Sequence, residues 1–155
     1  MLFRSIIEAF KRMPDKKLIV ASSGPELSKL KKMAGNAGNI SFSGWLSEAK
    51  YKELLGFCIA TIYIPREEDF GMSPVESMSA GKPVVGVAEG GLIESVVDGE
   101  TGILIKSNFG VQDLVDAVGR MSPKSATEMR GACQERANDF REQVFVERMQ
   151  MNCEL

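Results

Sequence analysis

Residues 58–87, "CIATIYIPREEDFGMSPVESMSAGKPVVGV", decide the fold. An apolar, β-rich run over 58–64 passes through Pro65 into the acids Glu67, Glu68 and Asp69. Phe70, Gly71 and Met72 lead into a helical stretch, and a second apolar run, "PVVGV", begins at Pro83. Strand, helix and strand in this order, with no tight hairpin turn between the strands, read as a parallel pair joined by a crossover helix. Ser73 suits the N-cap, Pro74 the first helical position and Gly81 the stop. Glu76 falls three residues after Ser73, so "SPVE" reads as a capping box whose carboxylate folds back onto the Ser73 amide.

Working outward, three further β-rich runs occur: "KLIVA" at 17–21, "ISFS" at 40–43 and "GILI" at 102–105. All but "ISFS" are apolar with little alternation, as expected of strands covered on both faces. Between the runs lie segments with helical spacing: Phe3, Ile6, Ile7 and Phe10; Leu27, Leu30 and Met33; Tyr51, Leu54 and Leu55. The alternation predicts an α/β fold, a parallel sheet with helices on both faces. From about 110 onward there is no strand signal, so the C-terminal tail is predicted helical, with "SP" at 122–123 starting a new helix. No internal repeat, low-complexity stretch or linker divides the chain, and residues 1–155 read as a single domain. Leu2 already falls on the apolar face of the first helix with no strand ahead of it, whereas such domains usually open on a strand; the expectation is an N-terminally truncated domain.

Composition narrows the chemistry. The 155 residues are 44% hydrophobic and 26% charged, with 19 basic and 21 acidic side chains and a net charge of −2, so no basic excess points to nucleic acid. There is no signal peptide and no apolar run approaching the roughly 18 residues of a membrane span, which gives a cytoplasmic expectation. Cys58, Cys133 and Cys153 are odd in number and lack a C-x-x-C pair, against a disulfide framework or zinc site. Histidine is absent, which removes Ser-His-Asp and Cys-His nucleophiles, HExxH zinc sites and imidazole bases. Chemistry here must use carboxylates, lysines, hydroxyls or backbone dipoles.

In open parallel sheets, ligands bind outside the carboxyl ends of the strands, where loops enter helix N-termini. The acidic junction occupies that address. A helix N-terminus attracts phosphate, and Gly71 lets a ligand approach the backbone. A carboxylate beside it repels phosphate and is better aimed at hydroxyls or a developing cation. A phosphate next to a polyol describes a nucleotide sugar. For Glu76 two readings stand, helix cap and ligand contact.

The stretch "EDFGMSPVE", Glu68 to Glu76, resembles the E-x7-E motif of family 4 retaining glycosyltransferases of the GT-B fold, also called glycosyl transferase group 1. "MSAGKPVVG" resembles the family's A-x-G-x-P-V-V segment, and "EGGLIESVVDGETGILI" its G-G-x-x-E-x-V-x-x-G-x-x-G-x-L-V stretch. "LIVASSGPE" and "ISFSGWLS" fall where the family has its second and third strands, so the similarity runs from about residue 3 to 120. It implies the Rossmann-like, donor-binding C-terminal half of a GT-B enzyme. Glu68 matches the first motif glutamate, expected as the catalytic carboxylate near the donor hexose; Glu76 matches the second, expected to accept hydrogen bonds from the ribose. Phe70, Gly71 and Met72 match the sugar-contacting loop, and Ser73 opens the helix directed at the diphosphate. Trp45 and Leu46 are base-binding candidates or a hydrophobic cover over the sheet edge. Gly90 and Gly91 match a turn near the donor or form a simple strand-to-helix turn.

The resemblance implies transfer of a hexose from a GDP- or UDP-linked sugar to a glycan or lipid-linked acceptor, without cofactor or resident metal, and peripheral membrane association of the full enzyme. "EDFG" followed by "PVE" resembles mannosyltransferases using GDP-mannose. The family's first strand, its Arg...Lys pair for the diphosphate and its acceptor domain have no counterpart here. In the family's strand order, 3-2-1-4-5-6, the strand without a counterpart is the central one, which predicts an interrupted sheet and an isolated chain without transfer activity. The alternative is a non-catalytic nucleotide-sugar or partner-binding module of the same fold.

Overall fold

A computed structural model describes residues 3–21, 23–65 and 71–153, with side chains as far as Met151. Its elements run α1 (Phe3–Lys11), β1 (Leu18–Ala21), α2 (Leu27–Ala34), β2 (Ile40–Gly44), α3 (Glu48–Phe57), β3 (Thr61–Tyr63), α4 (Met72–Ser79), β4 (Val84–Val87), α5 (Leu92–Ser95), β5 (Gly102–Ile105), α6 (Val111–Arg120), α7 (Pro123–Asn138) and α8 (Glu142–Cys153). Every strand pair is parallel. Among the described residues no helix is long and apolar enough to cross a membrane.

The strands form two sheets, β1-β2 and β3-β4-β5, with no ladder between β1 and β3. The interruption falls where the sequence predicts it. In the larger sheet the pleat separates two cores. Ile62, Ile64, Val85, Val87, Ile103 and Ile105 point to one side, against Ile6, Ala9 and Phe10 of α1 and Leu114, Ala117 and Val118 of α6. Tyr63, Val84 and Leu104 point to the other, against Val75 and Met78 of α4 and Cys133 and Ala137 of α7. Val84, Val85 and Val87 are each at most 2% exposed. Full burial of such a side chain stabilises by about 1.5–3 kcal/mol, so this one strand is a major contributor to the fold.

The smaller sheet differs from expectation. Leu18, Ile40 and Phe42 pack toward α1 and α2, but Ile19, Ser41 and Ser43 face the other way and are exposed, Ile19 by 47%. The apolar run of β1 therefore has only one covered face. What ties this sheet to the rest is α1. Its Ile7 is fully buried against Leu30 and Ala34 of α2, while its Ile6, Ala9 and Phe10 serve the larger core. Asn39, at the entrance to β2, donates to the carbonyls of Phe10, Met13 and Lys16 at 2.8, 3.0 and 2.9 Å, fixing the turn that leaves α1.

Helix termini follow the sequence in part. Ser122 caps α7, accepting from the Ser125 amide, with Pro123 at the first position, as the "SP" signal predicts. Gly81, with φ of 70°, ends α4 in the left-handed region that glycine favours. Gly102 is required for a different reason: it pairs with Val84 across the β4–β5 ladder, and a Cβ there would overlap the Val84 carbonyl and crowd Val96. By contrast Gly131, exposed in the middle of α7, has open space around it. The same substitution should therefore act in opposite directions. Gly102→Ala is expected to destabilise by about 3 kcal/mol through overpacking, whereas Gly131→Ala is expected to stabilise by roughly 0.5–1 kcal/mol through helix propensity; urea unfolding of the two variants checks both signs.

Candidate functional site

Because all strands are parallel, the loops that follow β2, β3 and β4 leave from the carboxyl ends of their sheets. Those loops carry Trp45 and Leu46, the acidic junction, and Gly90 with Gly91. Glu68 and Phe70, with Glu67 and Asp69, lie outside the described residues, so the catalytic carboxylate inferred from the motif has no structural account here. Glu76, Gly71, Met72, Ser73, Trp45, Leu46, Gly90 and Gly91 are all described.

The capping box does not form. Gly71, extended at φ −97° and ψ 126°, takes the N-cap position of α4, and among the described residues no side chain caps the helix. Helical geometry thus starts at Met72, before the serine. Ser73 and Pro74 fall inside the first turn, and Glu76 stands beyond it, out of reach of the cap amide. Glycine at 71 is dictated by packing, since a Cβ would sit 2.5 Å from the Tyr63 hydroxyl and 2.9 Å from its ring. Among the described residues no side chain caps the opening of α4, and Met72 and Ser73 are exposed. Such an end carries the positive pole of the helix and backbone N–H groups able to meet an anion.

Released from the cap, the Glu76 side chain is exposed and its Oε2 accepts a hydrogen bond from the Tyr51 hydroxyl of α3 at 3.2 Å. Burial, then the neighbouring Glu76 carboxylate, push the Tyr51 phenol up to about 12. It therefore remains a protonated donor at physiological pH. No local pattern in the sequence signals this pair. Tyr51 reads there only as one of three residues on an apolar helix face, and 25 positions separate it from Glu76; only the approach of α3 to α4 reveals the contact.

Below this pair the chain presents apolar surface. Trp45, directly after β2, is 83% exposed and so does not act as a cover over the sheet edge. Leu46 lines a groove of about 380 Å³ between the open face of the β1–β2 sheet and α3, with Ile19, Ser41, Ser43, Leu54 and Phe57 among its other walls. Ser47 caps α3 by accepting from the Lys50 amide, which fixes how the loop enters that helix. Gly90, at φ 54°, makes the turn between β4 and α5, and the buried Gly91 precedes α5. The turn geometry accounts for glycine at 90. Among the described residues no cluster of Cys, Asp and Glu is arranged to hold a metal ion.

The family model of the glycosyl transferases group 1 matches residues 3–140, reaching past the motif region through α7. The chain is 37% identical over 116 residues to alpha-1,3/1,6-mannosyltransferase ALG2 of Dictyostelium discoideum, covering 74% of this chain and 27% of that protein. It is 32% identical over 131 residues to D-inositol 3-phosphate glycosyltransferase of Corynebacterium aurimucosum, covering 77% and 30%. The chain thus spans less than a third of the length of these relatives. In fold it is similar to sucrose-phosphate synthase from Thermosynechococcus elongatus, with a TM-score of 0.85 at 21% identity over 98% of this chain and 41% of that one. It is also similar to Anabaena HepE, solved with UDP and glucose, with a TM-score of 0.80 at 20% identity over 96% and 43%. A match to the family model over most of its length, on parallel sheets that superpose on part of larger glycosyltransferase structures, means that the chain belongs to the group 1 glycosyl transferases, family 4, with the fold of the C-terminal, donor-binding half of GT-B enzymes.

Proposed function

We propose that this chain is the donor half of a retaining hexosyltransferase, binding a nucleoside diphosphate sugar at the edge formed by the loops after β2, β3 and β4. The observation that carries the reading is the exposed Glu76 carboxylate beside the uncapped start of α4. It sets an acceptor for sugar hydroxyls next to a pole for phosphate. The helix end meets the diphosphate, Glu76 accepts from the ribose hydroxyls, and the base lies toward Trp45 and Leu46. Gly90 and Gly91 form the far wall near the hexose. Two complexes of proteins similar in fold support a nucleotide-sugar donor: HepE holds UDP and glucose, and the pneumococcal O-GlcNAc transferase GtfA holds UDP and GlcNAc. The mannosyltransferase ALG2 among the relatives supports mannose as the hexose.

In the reaction, the bond between the anomeric carbon and the diphosphate oxygen breaks, the diphosphate leaves with the electron pair, and an acceptor hydroxyl forms the new bond on the same face, giving its proton to the departing diphosphate. The transition state has oxocarbenium character. Its charge is met by the departing diphosphate and by Glu68, with the diphosphate's own growing charge met by the α4 amides. Glu68 and Glu76 thus have separate duties, and mutation should separate them. In the complete enzyme, Glu76→Gln is expected to weaken nucleoside diphosphate binding by about 1–3 kcal/mol, the range for a lost charge-assisted hydrogen bond. Glu68→Ala is expected to reduce turnover far more than nucleotide affinity. Calorimetry combined with initial rates reads both; equal losses of affinity and turnover at Glu68 would make it part of the nucleotide pocket.

The same reading concerns the 155 residues by themselves. The chain provides a helix pole, typically about 0.3–1 kcal/mol and up to roughly 2 when partly buried, against about 1.5–3 kcal/mol for each charged hydrogen bond of the family's Arg...Lys pair that has no counterpart here. We expect the isolated polypeptide to bind GDP- or UDP-sugars at best weakly and to transfer no sugar to a glycan or lipid-linked acceptor, since the acceptor site belongs to another domain. A radiolabelled-donor assay with the purified chain measures this, and robust transfer would contradict it.

A further inference from the structure

The Tyr51–Glu76 contact is not explained by packing or by helix capping. Glu76 is exposed and its helix does not use it, yet a phenol from a different helix reaches its Oε2. An ionised carboxylate offers about four acceptor sites on two oxygens. One hydrogen bond at 3.2 Å, longer than the roughly 2.5–3.0 Å usual for O–H···O, leaves most of that capacity open. Two vicinal hydroxyls are the donors that such a half-used carboxylate suits.

Position adds to this. Tyr51 lies in the first half of α3, soon after Trp45 and Leu46, whereas Glu76 lies on α4 after the acidic junction. The two helices leave different sheets, which share no ladder, so this bond fixes the loop-bearing end of one against the other. The ring is half-buried and has only two side-chain torsions, so its hydroxyl is held in place at small entropic cost. The Glu76 side chain, by contrast, is exposed and would otherwise sample many rotamers.

We propose that Tyr51 is a positioning residue for Glu76, its hydroxyl holding Oε2 so that Oε1 faces the vicinal 2′- and 3′-hydroxyls of the donor's ribose. The proposal rests on the ribose role given to Glu76 above. It makes Tyr51 a determinant of ribose over deoxyribose, acting through the carboxylate and not by touching the nucleotide. Burial and the Glu76 carboxylate push the phenol up to about 12, so it stays protonated and able to donate at neutral pH.

The test uses the complete enzyme and four probes, GDP, UDP and their 2′,3′-dideoxy forms, titrated calorimetrically into wild type, Tyr51→Phe, Glu76→Gln and the double variant. Tyr51→Phe removes one oxygen from a half-buried ring, and thermal unfolding verifies that it folds. Expected is an affinity loss of about 3- to 10-fold for the ribonucleotide that binds, the range of a neutral hydrogen bond. No loss is expected for its dideoxy form, and no further loss when Tyr51→Phe is added to Glu76→Gln. Equal losses for both sugar forms would mean a merely structural role and overturn the proposal, as would unchanged ribonucleotide affinity in Tyr51→Phe while Glu76→Gln weakens it. If folded Glu76→Gln itself binds the ribonucleotide like wild type, the ribose role of Glu76 fails, and the role of Tyr51 fails with it.

Discussion

The burial of both flanks of α1 is the constraint on which the rest depends. The two sheets exchange no ladder hydrogen bonds, so nothing in the backbone pairing sets one against the other. Ile7 on one flank of α1 locks into α2, and Ile6, Ala9 and Phe10 lock into the core over the larger sheet. A single nine-residue helix thereby joins two units. Asn39 reinforces the joint by gathering three carbonyls from the chain that leaves α1. Such a side chain, with its donors spent on part-buried backbone carbonyls, costs more to remove than a fully solvated surface amide.

The site follows from that joint. With the sheets fixed, α3 and α4 start from carboxyl ends of strands in different sheets and meet at Tyr51 and Glu76. The polar contact is modest in energy but informative about geometry, because it brings together the loop carrying Trp45 and Leu46 and the helix that opens at Gly71. Packing of Tyr63 against Gly71 decides where α4 begins, and that start decides that Glu76 is released toward α3. A half-buried aromatic in β3 thus sets the direction of an exposed carboxylate on the next helix.

Much of the fold was legible in the sequence because apolar runs and caps are local signals. All five strands fall within the expected runs, although β3 fills only Thr61–Tyr63 of 58–64 because α3 runs on to Phe57, and the Ser122–Pro123 start of α7 and the Gly81 stop of α4 lie where the residues put them. Three features were not legible. The "SPVE" pattern satisfies every requirement of a capping box, but cap residues compete locally, and the extended Gly71 won the position. The run "KLIVA" has the composition of a strand covered twice, yet Ile19 is 47% exposed; composition does not report which faces the neighbouring elements cover. Tyr51 was visible only as helix periodicity, since its partner is remote in sequence. The motif glutamates, glycines and loop residues could be nominated from resemblance, but which way Glu76 points depends on tertiary contacts alone.

If the Glu76 carboxylate at the start of α4 receives the ribose of a nucleoside diphosphate, a crystal structure of the complete enzyme with that nucleotide bound will show it. The ribose 2′- and 3′-hydroxyls are then expected about 3 Å from the Glu76 carboxylate, with the diphosphate before the first turn of α4 and the Tyr51 contact retained. A nucleotide bound elsewhere, or one seated at α4 with Glu76 folded back onto its own helix, would contradict it.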